Sequence, residues 1–316
     1  MKNFELNLTL YGENPNTTTT LSAEMKTYYS DYLIDNAKPN LVHDQFGQKH
    51  NIPKNGGKTI NFRRFVPFDK ATTALTEGVT PSGGTLSVTS LTSSVAEYGY
   101  YVTLSDLLML TSVDNTLVET TKLLGNQAGS TLDTITREVL NGGTNVMYSG
   151  GVSARSSITN TCKLTVDDIY KAARFLKTQN APKIDGSYVA IIHPDVAYDL
   201  MRDDEWIEAH KYAATTELFE GEIGKIGGVR FVETTEAKIF TGTVPVYSTL
   251  VLGANAYGVT EVTGGGLKTI VKQLGSGGTA DPLNQRATAG WKAVKTAERL
   301  VENYMIRIES ASTFGA

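Results

Sequence analysis

From Thr116 to Asn141 the apolar residues Leu117, Leu124, Ala128, Leu132, Ile135 and Val139 step by three, four or seven positions, the spacing of one helix face. Thr116 with Glu119 fits a capping box, and Asn141-Gly142-Gly143 supplies a stop, so the pattern predicts one uninterrupted helix. At 1.5 Å per residue such a helix spans roughly 39 Å. That is long for a globular domain of this size, and Gly125 and Gly129 inside it cost about 1 kcal/mol each relative to alanine. The helix therefore needs packing from the rest of the chain or from another subunit, and its glycines mark places where another backbone can come close.

The segment before the helix reads as strands and turns. Residues 58–68 place Ile60, Phe62 and Arg64 on one face and Thr59, Asn61 and Arg63 on the other, the period-2 signal of a half-buried strand. Glu77-Gly78 and Thr80-Pro81-Ser82-Gly83-Gly84 form a turn cluster, after which residues 86–104 alternate again. Two long strands joined at a Gly/Pro tip predict a projecting hairpin whose outer part has few partners in its own chain. Upstream, residues 1–55 are polar and rich in Asn and Thr. A single helical pattern, residues 21–34 with Leu21, Met25, Tyr28, Tyr29 and Tyr32, follows the run Thr17-Thr18-Thr19-Thr20. This predicts an extended arm leading into a short helix, held by contact with the remainder of the protein or with a neighbouring chain.

Beyond residue 160 the pattern becomes mixed α/β. Thr165-Val166-Asp167-Asp168 opens a helix with Ile169, Ala172, Ala173 and Leu176 inward, closed by Asn180-Ala181-Pro182. A short apolar run at residues 188–192 predicts a buried strand, and His193-Pro194-Asp195 starts a helix through Met201. A polar helical stretch to about Glu217 follows. Strands at residues 229–232, 246–252 and 257–262 are expected to complete one central sheet with the 188–192 strand. In the tail, Met305, Arg307 and Glu309 alternate with Ile306, Ile308 and Ser310, predicting a sheet edge beside the long helix rather than in the 188–262 sheet.

With 316 residues, 40% hydrophobic and 20% charged, the chain can bury a sizeable core in one large or two modest domains. The lone cysteine, Cys162, excludes an intramolecular disulfide, which fits an intracellular folding compartment. Glu5, Asn7 and Thr9 interrupt what would have to be the apolar core of a secretory signal, and no apolar run of about 18 residues occurs, so neither export by that route nor membrane spanning is expected. A net charge of −4 without a Lys/Arg cluster predicts at most weak, non-specific contact with DNA.

Chemistry-bearing motifs are sparse. Gly56-Gly57-Lys58-Thr59 ends like a phosphate loop, yet Ile52 stands where the first glycine belongs, and a turn before a strand is the better reading. His43, His50, His193 and His210 lack metal-ligand spacing, and a capping or turn role is expected of His193. Cys162 has no histidine near it in sequence and is expected to be partly buried. Asp203-Asp204-Glu205 lacks the glycine turn of a calcium loop and reads as a solvated helix start. Tyr28-Tyr29, Tyr98 and Tyr100-Tyr101, without interleaved basic residues, suit interfaces better than base stacking. No residue is therefore assigned as catalytic, cofactor-binding or metal-binding, and no cofactor is expected; the chain is not read as an enzyme.

Several short stretches, in one order over about residues 55–312, carry a family resemblance. They are Gly99-Tyr100 with Leu104-Ser105-Asp106, Gln127-Ala128 through Asp133, Leu140-Asn141-Gly142-Gly143-Thr144 and Ile192-His193-Pro194-Asp195. Gly221 through Gly224, Gly228 through Thr234 and Asp281 through Lys292 continue the series, the last with Gly290-Trp291-Lys292. Together they resemble the major capsid proteins of tailed bacteriophages, in particular the N-four-like phage capsid family. The resemblance implies an α+β chain with the Hong Kong phage capsid fold. Its parts map to an N-terminal arm (about 1–54), an extended hairpin loop (55–104), a peripheral domain holding the long spine helix (105–160 and the returning 282–316), and an axial domain with a mixed sheet and flanking helices (161–281).

The same resemblance implies a self-assembling subunit that forms pentamers and hexamers of an icosahedral shell around packaged double-stranded DNA. Its partners would be itself, a portal, scaffolding and decoration proteins, and DNA only by weak contact, with no membrane involved. It would reside in the virion capsid and assemble in the host cytoplasm. An encapsulin-like bacterial nanocompartment shell is the nearest alternative, and a carbohydrate-binding β-rich surface module the alternative from another class.

Overall fold

A computed structural model describes Leu33, Asn36, Ala37 and residues 41–53, 57–66, 68–112, 115–211, 222–242, 244–262, 265–278 and 281–315. The expected helix at 21–34 falls outside these apart from Leu33, and so does the end of the helical stretch expected to reach Glu217. The elements begin with β1 (Gln48–Ile52), β2 (Thr59–Phe65), β3 (Val88–Ser94), β4 (Ala96–Ser105), α1 (Asp106–Thr111) and α2 (Thr116–Asn141). Next come β5 (Val146–Tyr148), α3 (Val166–Thr178), β6 (Tyr188–Ile192), α4 (Pro194–Met201), α5 (Asp204–Lys211), β7 (Glu222–Ile226) and β8 (Val229–Glu233). The last are β9 (Ile239–Phe240), β10 (Val246–Leu252), β11 (Tyr257–Val262), β12 (Lys268–Lys272), β13 (Arg286–Arg299) and β14 (Met305–Ser310).

The long helix α2 has the predicted bounds, but its cap lies one residue earlier than the sequence pattern suggests. Asn115 is the N-cap, and its side-chain oxygen accepts from the Val118 N–H at 3.4 Å, so Thr116 is already helical. Leu117, Leu124, Ala128 and Leu132 face inward as expected, whereas the stripe then turns to Thr136 and Leu140, leaving Ile135 and Val139 half-buried. That turn follows from the 3.6-residue repeat, which drifts relative to a seven-residue spacing.

The buried stripe lies on a five-stranded sheet built around the 14-residue β13. Leu104 of β4 and Ala289, Trp291 and Ala293 of β13 meet Leu117, Leu124, Ala128 and Leu132 in one core, which Leu33 joins. A Cβ at Gly125 would stand 2.7 Å from the Leu33 carbonyl oxygen, so one of the two helix glycines does admit another backbone, that of the chain's own arm. Gly125→Ala gains about 1 kcal/mol of helix propensity yet must push the arm away. Limited proteolysis is expected to cut the variant more readily before residue 41, while α2 stays helical by circular dichroism.

Strand pairing departs from expectation in three places. Residues 86–104 are two strands: β3 pairs antiparallel with β2, and after Val95 the chain leaves the hairpin as β4, which pairs with β13 from Ala96↔Lys295 to Ser105↔Arg286. β11 does not join the 188–192 strand; it pairs antiparallel with β13 and parallel with β1, and it meets that strand only through side chains, Tyr257 and Val259 sharing a core with Leu140 of α2 and with Ile191, Leu250 and Leu252 of the second sheet. β14 is an interior strand of the second sheet, not an edge beside the helix. It lies between β10, antiparallel, and β5, parallel, and all six of its residues are buried. Its charges tolerate burial because Arg307 and Glu309 satisfy each other and their neighbours.

The second sheet has the order β5-β14-β10-β6-β8-β7, with β9 beside β10. α3 and α4 cover one face through Ile169, Ala172, Leu176, Val196 and Leu200. Local signals set both helix starts: Thr165 and Asp168 form a reciprocal capping box, and the His193 ring accepts from the Asp195 N–H at 3.2 Å ahead of Pro194.

Candidate assembly interface

The β2–β3 ribbon runs from Thr59↔Ser94 to Phe65↔Val88, and beyond it the described residues between 66 and 87 form no strand. Its base is tied to the body: Phe62 is buried with its ring edge-on to His50 at 5.3 Å, and Ser93 Oγ lies 3.0 Å from Thr296 Oγ1. Its outer part leaves Phe65, Phe68, Leu75, Val79, Leu86 and Val88 exposed, Leu75 by 77%. Each such side chain forgoes roughly 1.5–3 kcal/mol of burial while uncovered. Six large apolar side chains exposed on one ribbon point to a binding surface. A second uncovered patch is α1, where Leu107, Leu108 and Leu110 all face out and no residue of the helix is buried.

Behind these surfaces, charged groups lock the body. His43 stands against α2, its N–H donating to Asp133 Oδ1 at 2.7 Å and its ring Nδ1 lying 2.6 Å from Oδ2, with both residues buried. Asp44 accepts from Thr136 Oγ1 at 2.5 Å and pairs with Lys295 of β13, which also donates to the Leu132 carbonyl at 2.9 Å. Tyr257 donates to the His43 carbonyl. The strap before β1 is thus fastened to helix and sheet together. A second centre surrounds the fully buried Glu309, which accepts from Arg155 through two bonds of 2.6 Å and from Arg307 Nε at 2.8 Å. Arg307 also donates to the Asn141 carbonyl at the C-terminal end of α2, tying that helix to the second sheet.

The residues singled out in the sequence scatter into structural duties. His50 packs on Phe62 and His193 caps α4; nothing is described of the His210 side chain. Burial lowers the His193 pKa against the pull of Asp195, while burial and the hydrogen bond to Asp195 push Tyr247 up to about 12, so both remain neutral near pH 7. Cys162 is buried beneath Gly150, where a Cβ would come within 2.8 Å of its sulfur. Gly57 takes a positive φ ahead of β2, a turn before a strand. Asp203 does more than start a solvated helix: its two oxygens accept from Val166 N–H of α3 at 3.0 Å and Glu205 N–H of α5 at 3.1 Å. Tyr98 packs toward the α2 core, whereas Tyr100 and Tyr101 are exposed. Among the described residues no group of three or more His, Cys, Asp or Glu could hold a metal ion, and no helix is long and apolar enough to cross a membrane.

One carboxylate gathers most of the hydrogen bonds that hold the C-terminal tail, beside the Phe314 ring on Tyr198 and the Ser312 hydroxyl on the Asp195 carbonyl. Asp199 of α4 accepts from the Thr313 N–H at 2.8 Å, from Ser312 Oγ at 2.9 Å and from Thr313 Oγ1, with Lys163 at 3.7 Å. Burial alone would raise its pKa, but these donors and Lys163 outweigh it and hold the carboxyl below its ordinary range. A depressed folded-state value stabilises above the unfolded pKa of about 3.9 and is lost as pH falls through the folded one. Carboxypeptidase is therefore expected to trim the tail only well below about pH 4 and not at pH 6, and Asp199→Asn is expected to be trimmed at pH 6 as well.

Comparison with known proteins gives this arrangement a context. The sequence profile of the family described as "Phage capsid protein" matches residues 88–304. No curated protein matches the sequence. Among solved structures, the capsid of Ralstonia phage GP4 is similar at a TM-score of 0.70 and 16% identity, over 87% of this chain and 89% of that one. The capsid of cyanophage Pam1 follows at 0.68 and 15%, over 86% and 90%. A virus-like particle from Pyrococcus furiosus is similar at 0.53 and 11%, over 90% and 99%. These structures share the α+β fold. The profile match spans β3 through the turn before β14, taking in α2 and most of both sheets that position the hairpin, so the chain belongs to the phage capsid protein family.

Proposed function

We propose that this chain is a major capsid protein that closes an icosahedral shell of pentamers and hexamers by resting its hairpin on neighbouring copies. The observation that carries this is the set of exposed apolar side chains from Phe65 to Val88 on a ribbon tied to the body through Phe62 and Ser93. A two-stranded ribbon is marginal by itself and is stabilised when a neighbour covers it. The family match favours a phage shell over a bacterial nanocompartment or a carbohydrate-binding module.

In this reading the work is structural rather than catalytic, the site of action is the virion capsid, and assembly proceeds in the host cytoplasm with portal, scaffolding and decoration proteins. The peripheral unit is α2 with the β13 sheet and the axial unit is the β6–β10 sheet with α3 and α4, the tail strand β14 going to the latter. Packaged double-stranded DNA meets a chain of net charge −4 that can release few counterions, so contact is weak and does not hinder packaging or ejection.

Deleting residues 80–84, or replacing Phe68 and Leu75 by serine, is expected to abolish rings and shells in sedimentation velocity while far-UV circular dichroism stays that of the folded subunit. Normal shells from either variant would show that the hairpin is not the clamp.

A further inference from the structure

The longest open strand edge among the described residues belongs to β4. It pairs with β13 along ten residues on one side and with no described strand on the other. Its sequence, AEYGYYVTLS, has no Lys, Arg or Pro, and its single charged residue, Glu97, stands at the start of the strand and pairs with Lys292 of β13. The other outer strands of the same sheet, β1 and β12, are five residues each and carry Lys49, and Lys268 with Lys272. The β2–β3 ribbon has open edges too, but no helix layer lies beneath it, whereas α2 lies beneath β4 and β13.

The core layer stops short at this edge. Tyr98, Tyr100, Val102 and Leu104 share the α2-facing side with their cross-strand partners Ala293, Trp291, Ala289 and Ala287. Those four partners are at most 3% exposed, yet Tyr100 is 53% exposed. One more strand would cover it.

The chain carries a segment of that kind. In residues 4–11, Phe4, Leu6, Leu8 and Leu10 alternate with Glu5, Asn7, Thr9 and Tyr11, without Gly or Pro, the pattern of a strand with one apolar face. At about 3.3 Å per residue these eight residues would extend roughly 26 Å against roughly 33 Å for β4. The path of the arm leads there. Asp44 lies beside Thr136 and Leu33 beside Gly125, so followed backwards the chain runs toward the start of α2, where Leu33 shares a core with Leu104 and Leu117. Residues 12–32 remain to span the gap.

We propose that residues 4–11 of the same chain add to the open edge of β4 as a sixth strand, with Phe4, Leu6, Leu8 and Leu10 on the α2 side next to Tyr100. This pairing closes the least protected edge of the subunit and does not rest on the assembly reading. Hydrogen exchange of the full chain tests it at two protein concentrations tenfold apart, with the variants L6D/L8D and L6V/L8V. The expected result is that alternate amides of β4 are protected equally at both concentrations. They should exchange at least tenfold faster in L6D/L8D and stay protected in L6V/L8V, while β6 and β10 are unchanged throughout. The proposal is overturned if β4 amides already exchange as an open edge in the natural chain, or if their protection does not respond to L6D/L8D. Protection that falls on dilution would assign the strand to a second copy, and equal loosening of β6 and β10 would mean general unfolding; either result also overturns it.

Discussion

Glu309→Ala is expected to destabilise the subunit by about 3–5 kcal/mol, the loss seen when one partner of a buried ion pair is removed. Glu309 is fully buried and is the shared counter-ion of two guanidiniums, the part-exposed Arg155 and the buried Arg307. Without it Arg307 keeps its bond to the Asn141 carbonyl but loses its counter-charge in a place where water cannot replace it. Arg155→Ala should cost much less, since that side chain is 39% exposed and can be screened. Denaturant midpoints of the unassembled subunit will order the variants. Equal midpoints for Glu309→Ala and the natural protein would mean that water enters this centre freely.

Trp291→Ala is expected to cost about 3–5 kcal/mol, the range for truncating a buried aromatic residue. Trp291 is 3% exposed, sits at the middle of β13 beneath α2, and donates its ring N–H to Gln127 Oε1 at 2.8 Å. Trp291→Phe preserves most of the volume, and the exposed Gln127 can turn its freed oxygen to water, so only the net value of one hydrogen bond, about 0.5–1.5 kcal/mol, is expected to be lost. Thermal melting followed at 222 nm separates the two. A loss no greater for alanine than for phenylalanine would place the value of Trp291 in its hydrogen bond rather than in its packing.

What was legible in the sequence was local. The bounds of α2 followed from its apolar spacing, because each helical hydrogen bond closes within four residues and the packing face repeats with the turn. The buried strand β6 was legible as a continuous apolar run, and the start of α3 as its capping pair. β13 carried a readable alternation, Ala287, Ala289, Trp291, Ala293 and Ala297, but alanines contribute so little apolar surface that the signal stayed below the charged residues between them. Arg307 and Glu309 misled in the same way: their polarity suggested an exposed edge, where the fold brings Arg155 and the end of α2 to them.

The sequence by itself determined the long helix, the Gly/Pro-tipped hairpin and the absence of recognisable metal-ligand spacing, each written in residues adjacent along the chain. Only the tertiary structure decided which sheet each strand joins and which charges are buried. Gln48 pairs with Gly258 and Lys295 reaches Asp44, and neither partner leaves a mark in the other's local pattern. A strand's edge is satisfied by any backbone, and a carboxylate by any cation. Which ones meet is settled by the packing of α2 across β13, where burying one apolar face leaves each strand a single register that keeps its side chains on the correct side.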